Sequence, residues 1–316
     1  MEGNLEINKK SVLNSGVSNG VISAITWGAD TVLIGIVITM VSNIDMLKAV
    51  FLAPFVSAFL HDAFSTVWLI IYLGIKNQLK NVFVCLKTKS AKYVIIGGLL
   101  GGPIGMAGYL LAIKYLGPSY TAAISSIYPA VGAIMAKILL KEKMNKTGWI
   151  GLLLSILGII SLGYTKGDQV GSVLGFLFLA LCIVGWGSEA VVCSIGMKDD
   201  EISSDFALLI RQGTSAIIYG ALVVPLIGGI GLSLKIATEP VIILLMLTAL
   251  FGTLSYLFYY SAIYKIGPSR AMGINITYFV WAIIFETIFM GAQLSLKTII
   301  FGALVMFGSY LIAKDS

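Results

Sequence analysis

The chain has 316 residues, 58% hydrophobic and only 11% charged, with a mean hydropathy of +0.97. Soluble domains carry about 25% charged residues, so a water-soluble globular fold is excluded, and apolar runs that are continuous rather than alternating exclude a β-barrel. The net charge of +6 comes from lysines between apolar runs and gives no reason to expect nucleic acid, while one histidine and three cysteines (Cys85, Cys182, Cys193) without ligand or pairing spacing argue against a metal site.

Apolar stretches of about 20 residues, the length that crosses a ~30 Å hydrocarbon core, recur from end to end. Residues 1–16 read as a polar cytoplasmic segment leading into a full-length span, not as a cleavable signal. Ten spans are predicted, at 17–41, 48–74, 92–116, 118–140, 147–165, 170–196, 205–229, 239–264, 268–290 and 296–313. An even number puts both termini on one side of the bilayer. Of the 21 Lys and Arg, Lys137 and Arg211 are set aside, and the other 19, in loops or at span ends, divide 14 to 5 in favour of the termini's side. The positive-inside rule makes that side cytoplasmic.

The chain repeats itself. "AIKYLGPSYTAAISSIYPA" (112–130) aligns without gaps to "AIYKIGPSRAMGINITYFV" (262–280), an offset of 150, and "AFLHDAFS" (58–65) aligns to "LLIRQGTS" (208–215) at the same offset. At an offset of 159, Trp27-Gly28-x-Asp30 matches Trp186-Gly187-x-Glu189. Residues 17–165 and 166–316 are therefore expected to be two homologous five-helix repeats. An odd number of spans per repeat makes the second copy enter from the opposite side, so the repeats are inverted. Each Gly-Pro-Ser turn is expected to close a tight hairpin. "GGLLGGPIGMAG" (97–108) would let helices approach closely, with Pro103 as a kink.

Asp30, His61, Asp62, Glu189, Arg211 and Glu286 fall within spans, where ionisable groups are costly and face a cavity or a partner. His61-Asp62 aligns with Arg211-Gln212. For Arg211, an ion pair with an acid of another helix that merely holds the bundle together stands beside a functional role; for His61-Asp62 a proton relay and a structural polar cluster both fit. Residues three apart share a helix face, so Trp186 lies beside Glu189 and Trp27 beside Asp30. Tyr278 and Trp281 have the same spacing, Tyr256, Tyr259 and Tyr260 cluster on the eighth span, and Tyr128 is the counterpart of Tyr278. Deep aromatic rings beside a carboxylate suit a poorly hydrated organic cation, attracted by ~0.5–2 kcal/mol per ring. Ordinary core packing is the alternative for any single ring.

The segments "GGPIGMAGYLLAIKYLGPS" (101–119), "VGWGSEAVVCS" (184–194), "ALLIRQGTS" (207–215) and "YLFYYSAIYKIGPSRAMGINITYFVW" (256–281), with "TWG" (26–28), resemble the drug/metabolite transporter superfamily. Within it, the chain is similar to the bacterial LicB-type choline permeases. The resemblance implies an all-α membrane protein of ten helices in two inverted repeats, in the cell membrane. It further implies import of choline or a similar quaternary amine. Carried onto this sequence, it makes Trp27, Trp186, Glu189, Tyr259, Tyr278 and Trp281 the cage and counter-charge, with Asp30, His61, Asp62, Tyr128 and Arg211 secondary or proton-coupling. Asp30 departs from the family pattern, in which uncharged residues follow the first Trp-Gly; it binds a proton, adds a counter-charge or pairs with Arg211 or His61. With neither a nucleotide-binding loop nor a catalytic constellation, no enzyme activity or cofactor is expected, and the driving force is an ion gradient, protons included, or the membrane potential. An exporter of amino acids or other small amines on the same fold is the rival reading.

Overall fold

The computed structural model describes residues 2–44, 49–116, 121, 124–163, 173–198, 202–291 and 293–314. The Gly117-Pro118-Ser119 turn and the boundary expected between the halves at 165–166 lie outside the described residues. Every regular element among those described is helical: α1 (Glu2–Ile44), α2 (Ala49–Ile75), α3 (Leu79–Cys85), α4 (Lys89–Leu99), α5 (Ala107–Leu116), α6 (Tyr128–Leu139), α7 (Lys146–Gly163) and α8 (Val173–Met197). They are followed by α9 (Ser204–Ile218), α10 (Val224–Leu226), α11 (Ile230–Thr238), α12 (Val241–Ile266), α13 (Pro268–Asn275), α14 (Tyr278–Met290) and α15 (Leu296–Lys314). Eight helical stretches are long and apolar enough to cross a membrane, and two shorter apolar helices, Tyr128–Leu139 and Lys146–Leu162, accompany them. The outward faces of these helices carry large apolar side chains such as Ile71, Leu157, Leu181 and Phe307. A hydrocarbon solvent explains that exposure; water would not. The chain is a multi-pass membrane protein.

Local chemistry sets the helix ends. Thr88 Oγ1 accepts from Ala91 N at the start of α4 (3.3 Å), and Ser203 Oγ accepts from Phe206 N at the start of α9 (3.4 Å), each satisfying one orphan amide. Gly267, at φ 82°, closes α12 and hands the chain to Pro268, the first residue of α13. There Glu142, from the turn after α6, accepts from Ser269 N (3.3 Å) and Ser269 Oγ (2.8 Å). Burial pushes the Glu142 carboxyl above the usual carboxylate range, opposed by those two bonds.

Two long helices are interrupted where continuous spans are expected from the sequence. Ser126–Ile127 form a turn before α6, and Ile276–Thr277 form the same turn between α13 and α14, at the repeat offset of 150. Pro129 removes an amide donor from the first turn of α6. In the second copy Thr277 Oγ1 donates to Ile274 O (2.9 Å), a local bond that competes with the helix ladder. The expected kink at Pro103 takes the form of a π-helical stretch, Leu100–Met106, between α4 and α5, and a second one, Tyr219–Val223, follows α9.

The packing has a symmetry that the sequence repeat explains. Helix α1 packs on α12 and α14; in exchange, α8 packs on α4–α5 and α6. Helix α4 packs on α9 as α12 packs on α2, while α2–α9 and α7–α15 pair with each other. At the α7–α15 contact Ser155 Oγ donates to Val305 O (3.1 Å), and a Cβ at Gly308 would overlap Gly151 O and Ser155 Oγ. Gly308→Val is expected to lower stability by about 1–3 kcal/mol through overpacking, read as a lower midpoint of thermal unfolding in detergent. An unchanged midpoint would show that α7 and α15 can separate at no cost.

Candidate functional site

Where α1, α8, α12 and the two interrupted helices converge, a cavity of about 40 Å³ is lined by Trp27, Met106, Tyr128, Trp186, Glu189, Ser255, Tyr256, Tyr259 and Asn275. Five of these nine are aromatic, so ring faces predominate in the wall. The rings brace one another across the repeats. Trp27 stacks on Tyr278 at 4.2 Å, and its counterpart Trp186 meets Tyr128 edge-on at 5.9 Å. Tyr256 and Tyr259 lie 6.3 Å apart at 74°, and Tyr256 lies 6.4 Å from Trp27. Trp186 Nε1 donates to Gly101 O (3.2 Å), a carbonyl of the π-helical stretch, which fixes the indole.

Glu189 lies in the wall but is not a free charge. Arg211 Nε donates to Glu189 Oε1 (2.6 Å) and Arg211 Nη2 to Glu189 Oε2 (3.1 Å), a bidentate pair in which both residues are buried. Tyr260 Oη donates to Glu189 Oε1 (3.1 Å), and Arg211 Nη2 also reaches Tyr256 Oη (3.2 Å). Arg211 Nη1 donates to Gln212 Oε1, and Gln212 Nε2 donates to Ser65 Oγ (2.9 Å). The carboxylate needs Gly101 beside it, because a Cβ there would overlap Glu189 Oε2.

The counterpart positions form a second acid–base pair. Asp30 Oδ1 is 3.0 Å from His61 Nε2, and Asp62 Oδ1 is 3.5 Å from His61 Nδ1. Ser215 Oγ donates to Asp62 Oδ2 (2.5 Å). Here Gly252 makes the room, since a Cβ on it would clash with His61 Nε2. Asp30–His61 and Glu189–Arg211 are thus related by the same repeat that relates Trp27 to Trp186.

Of the residues singled out from sequence, Trp27, Trp186, Glu189, Tyr259 and Tyr128 line the cavity. Tyr278 supports Trp27 from behind. Trp281 packs against α1, where Gly28 leaves no room for a Cβ beside it, and is not among the lining residues. Asp30, His61, Asp62 and Arg211 form the polar layer alongside. Ser255, Tyr256, Asn275 and Met106 complete the wall. Tyr256 belonged to a visible tyrosine cluster, whereas nothing in the composition of the other three marks them. Glu286 is exposed on α14 and takes no part. A roomier cavity of about 440 Å³ lies at the ends of α8 and α12, lined in part by Lys198, Lys265 and Glu142; its two ammonium groups outnumber the one carboxylate and make it a poorer resting place for a cation.

Among solved structures, the fold matches a crystal structure of another protein with a TM-score of 0.67 at 16% identity, over 96% of this chain and 97% of that one, a likeness of fold alone. Protein LicB of Haemophilus influenzae is 40% identical over 189 residues, 60% of this chain and 63% of that protein, so the match spans less than two thirds of the relative's length. The EamA-like transporter family matches twice, over residues 14–164 and again over 173–314. Covering nearly the whole chain, that double match shows that the protein belongs to the EamA-like transporter family.

Proposed function

We propose that the protein imports choline or a similar quaternary amine by alternating access between two inverted five-helix repeats, residues 17–165 and 166–316, with both termini cytoplasmic. The observation that carries this reading is the aromatic wall of the small cavity. A quaternary ammonium has no N–H to donate, so it is recognised by ring faces, each contributing ~0.5–2 kcal/mol. The residues in the wall come from both repeats and from two interrupted helices, the arrangement in which transporters with inverted repeats hold substrates. The exchange of packing partners between the halves supports two related arrangements of one bundle. Helix α13 ends at Asn275 on the cavity, and the carbonyl end of a helix favours a positive charge. The choline assignment rests on the resemblance to the LicB-type permeases together with this chemistry.

In this reading the counter-charge role expected of Glu189 is shared. Its attraction for a cavity cation is offset by Arg211, and the negative surplus of the layer comes from Asp30 and Asp62. Both nitrogens of His61 face carboxylate oxygens, and only the imidazolium donates from both. Asp30 and His61 are therefore the proposed coupling pair for a proton.

Labelled choline is expected to accumulate in proteoliposomes made inside-negative, because the potential draws a cation inward by ~2.3 kcal/mol per 100 mV. Trp27→Leu should weaken choline binding about 2- to 30-fold. Absence of choline flux alongside export of another amine would replace this reading with the exporter. An inward proton gradient should stimulate uptake further, and His61→Gln should remove that stimulation while leaving potential-driven uptake; equal stimulation in both proteins would sink the coupling assignment. Glu189→Gln leaves the Arg211 charge buried without the carboxylate it pairs with, which costs about 3–5 kcal/mol, and Glu189→Gln/Arg211→Gln should recover most of the lost thermal stability. If Glu189→Gln lowers choline affinity without lowering the unfolding midpoint, Glu189 serves the substrate rather than Arg211.

A further inference from the structure

The wall of the small cavity contains two polar atoms that ring faces and a quaternary ammonium leave unsatisfied. Tyr128 Oη and Asn275 Oδ1 are buried and have no hydrogen-bond partner, and both residues line the cavity. The residues themselves are 4% and 0% exposed. Buried polar groups are almost always paired, so an orphan beside a cavity points to something that enters it.

The surrounding bonds define what each atom offers. Asn275 Nδ2 donates to Ser23 Oγ (2.7 Å), and Ser255 Oγ donates to Ser23 O (3.0 Å). With its amide nitrogen committed, Asn275 has Oδ1 left over, an acceptor only. The phenol of Tyr128 both donates and accepts. One side stems from the first repeat and the other from the second, so a group satisfying both would bridge the two halves.

We infer that Tyr128 and Asn275 form a hydroxyl-reading subsite: the quaternary amine carried by this protein bears an alcohol, which donates to Asn275 Oδ1 and accepts from Tyr128 Oη. This inference rests on the reading of the cavity as a cation site. A hydroxyl supplies one proton and two lone pairs, which matches an acceptor and a phenol in the lining of one small cavity. An alkyl group would leave both atoms dry. A carboxylate would supply no proton to Asn275 Oδ1 and would place its charge against that oxygen. The subsite therefore selects hydroxyalkyl ammonium ions over alkyl ammonium ions and over betaines.

The test is competition for bound choline on the purified full-length protein by propyltrimethylammonium, which replaces the hydroxyl with a methyl, and by glycine betaine. Wild-type protein should bind propyltrimethylammonium about tenfold or more weakly than choline, and betaine more weakly still. In Tyr128→Phe, choline should fall towards propyltrimethylammonium, whose own affinity stays unchanged and so reports an intact cage. Asn275→Ala should narrow the same gap from the other repeat. Equal wild-type affinities for choline and propyltrimethylammonium would overturn the hydroxyl subsite while leaving the cation site standing. So would a Tyr128→Phe variant that loses both ligands equally. Failure of every ammonium compound to bind would overturn the cation site, and the subsite with it.

Discussion

An ionised group inside a bilayer-bounded bundle has no water to turn to, so its partner must come from another helix. Glu189 meets this constraint with Arg211, and the pairing organises much of what surrounds it. Arg211 holds Tyr256 by its hydroxyl and lies 4.7 Å from the centre of that ring. Glu189 holds Tyr260, and Gly101 is bare so that the carboxylate can fit. Gln212, next in sequence, continues the layer through Ser65, which also accepts from Thr253 Oγ1 (2.8 Å). Helices α2, α8, α9 and α12 are thereby tied together at one level. A buried ion pair of this kind adds little net stability over an apolar pair of the same shape, yet losing one partner is costly. Its effect is to fix register: the rings of Tyr256 and Trp186 are held where the cavity needs them.

The cavity inherits its shape from duplication with divergence. Trp27 and Trp186 each meet the tyrosine that begins a helix after an interruption, Tyr278 and Tyr128, and each of those tyrosines belongs to the opposite repeat. The two contacts are not alike: one is stacked and the other edge-on. Because Tyr278 is used in stacking against Trp27, it supports the wall, whereas Tyr128 is left to line it. The same topology therefore yields one supporting tyrosine and one lining tyrosine from aligned positions.

Much of this was legible in the sequence. Hydropathy gave the helical class, the offsets of 150 and 159 gave the paired positions, and the three-residue spacing put Trp186 with Glu189. What escaped depends on how each helix is rotated about its own axis, which tertiary packing decides. Trp281 has the right spacing from Tyr278, yet Gly28 lets its Cβ side nestle against α1, away from the cavity. Ser255 and Asn275 carry no unusual composition, and only the convergence of α1, α12 and α13 gathers them at one wall. The interruptions at 126–127 and 276–277 were hidden because two isoleucines and two small hydroxyl residues, Ser126 and Thr277, fit a continuous span. Hydropathy cannot see a broken hydrogen-bond ladder.

The aligned acid–base pairs share a layout but differ in chemistry, and that difference bears on transport. A guanidinium keeps its charge at any physiological pH, so Glu189–Arg211 is a fixed strut. An imidazole, unlike a guanidinium, can give up its proton when its carboxylate contacts are broken, so Asp30–His61 is the exchangeable pair. With His61 neutral, the three carboxylates Asp30, Asp62 and Glu189 against one Arg211 leave a surplus of two negative charges beside the cavity. A proton on His61 removes one, and in the proposed reading a cationic substrate against the aromatic wall would remove the other. Under the proposed transport reading, the loaded bundle is neutral only when both are aboard. A bundle with unbalanced charge is the one that resists rearranging in a low-dielectric surround. In that reading, coupling of a cation to a proton would come from the charge count of the layer and would require no contact between the two.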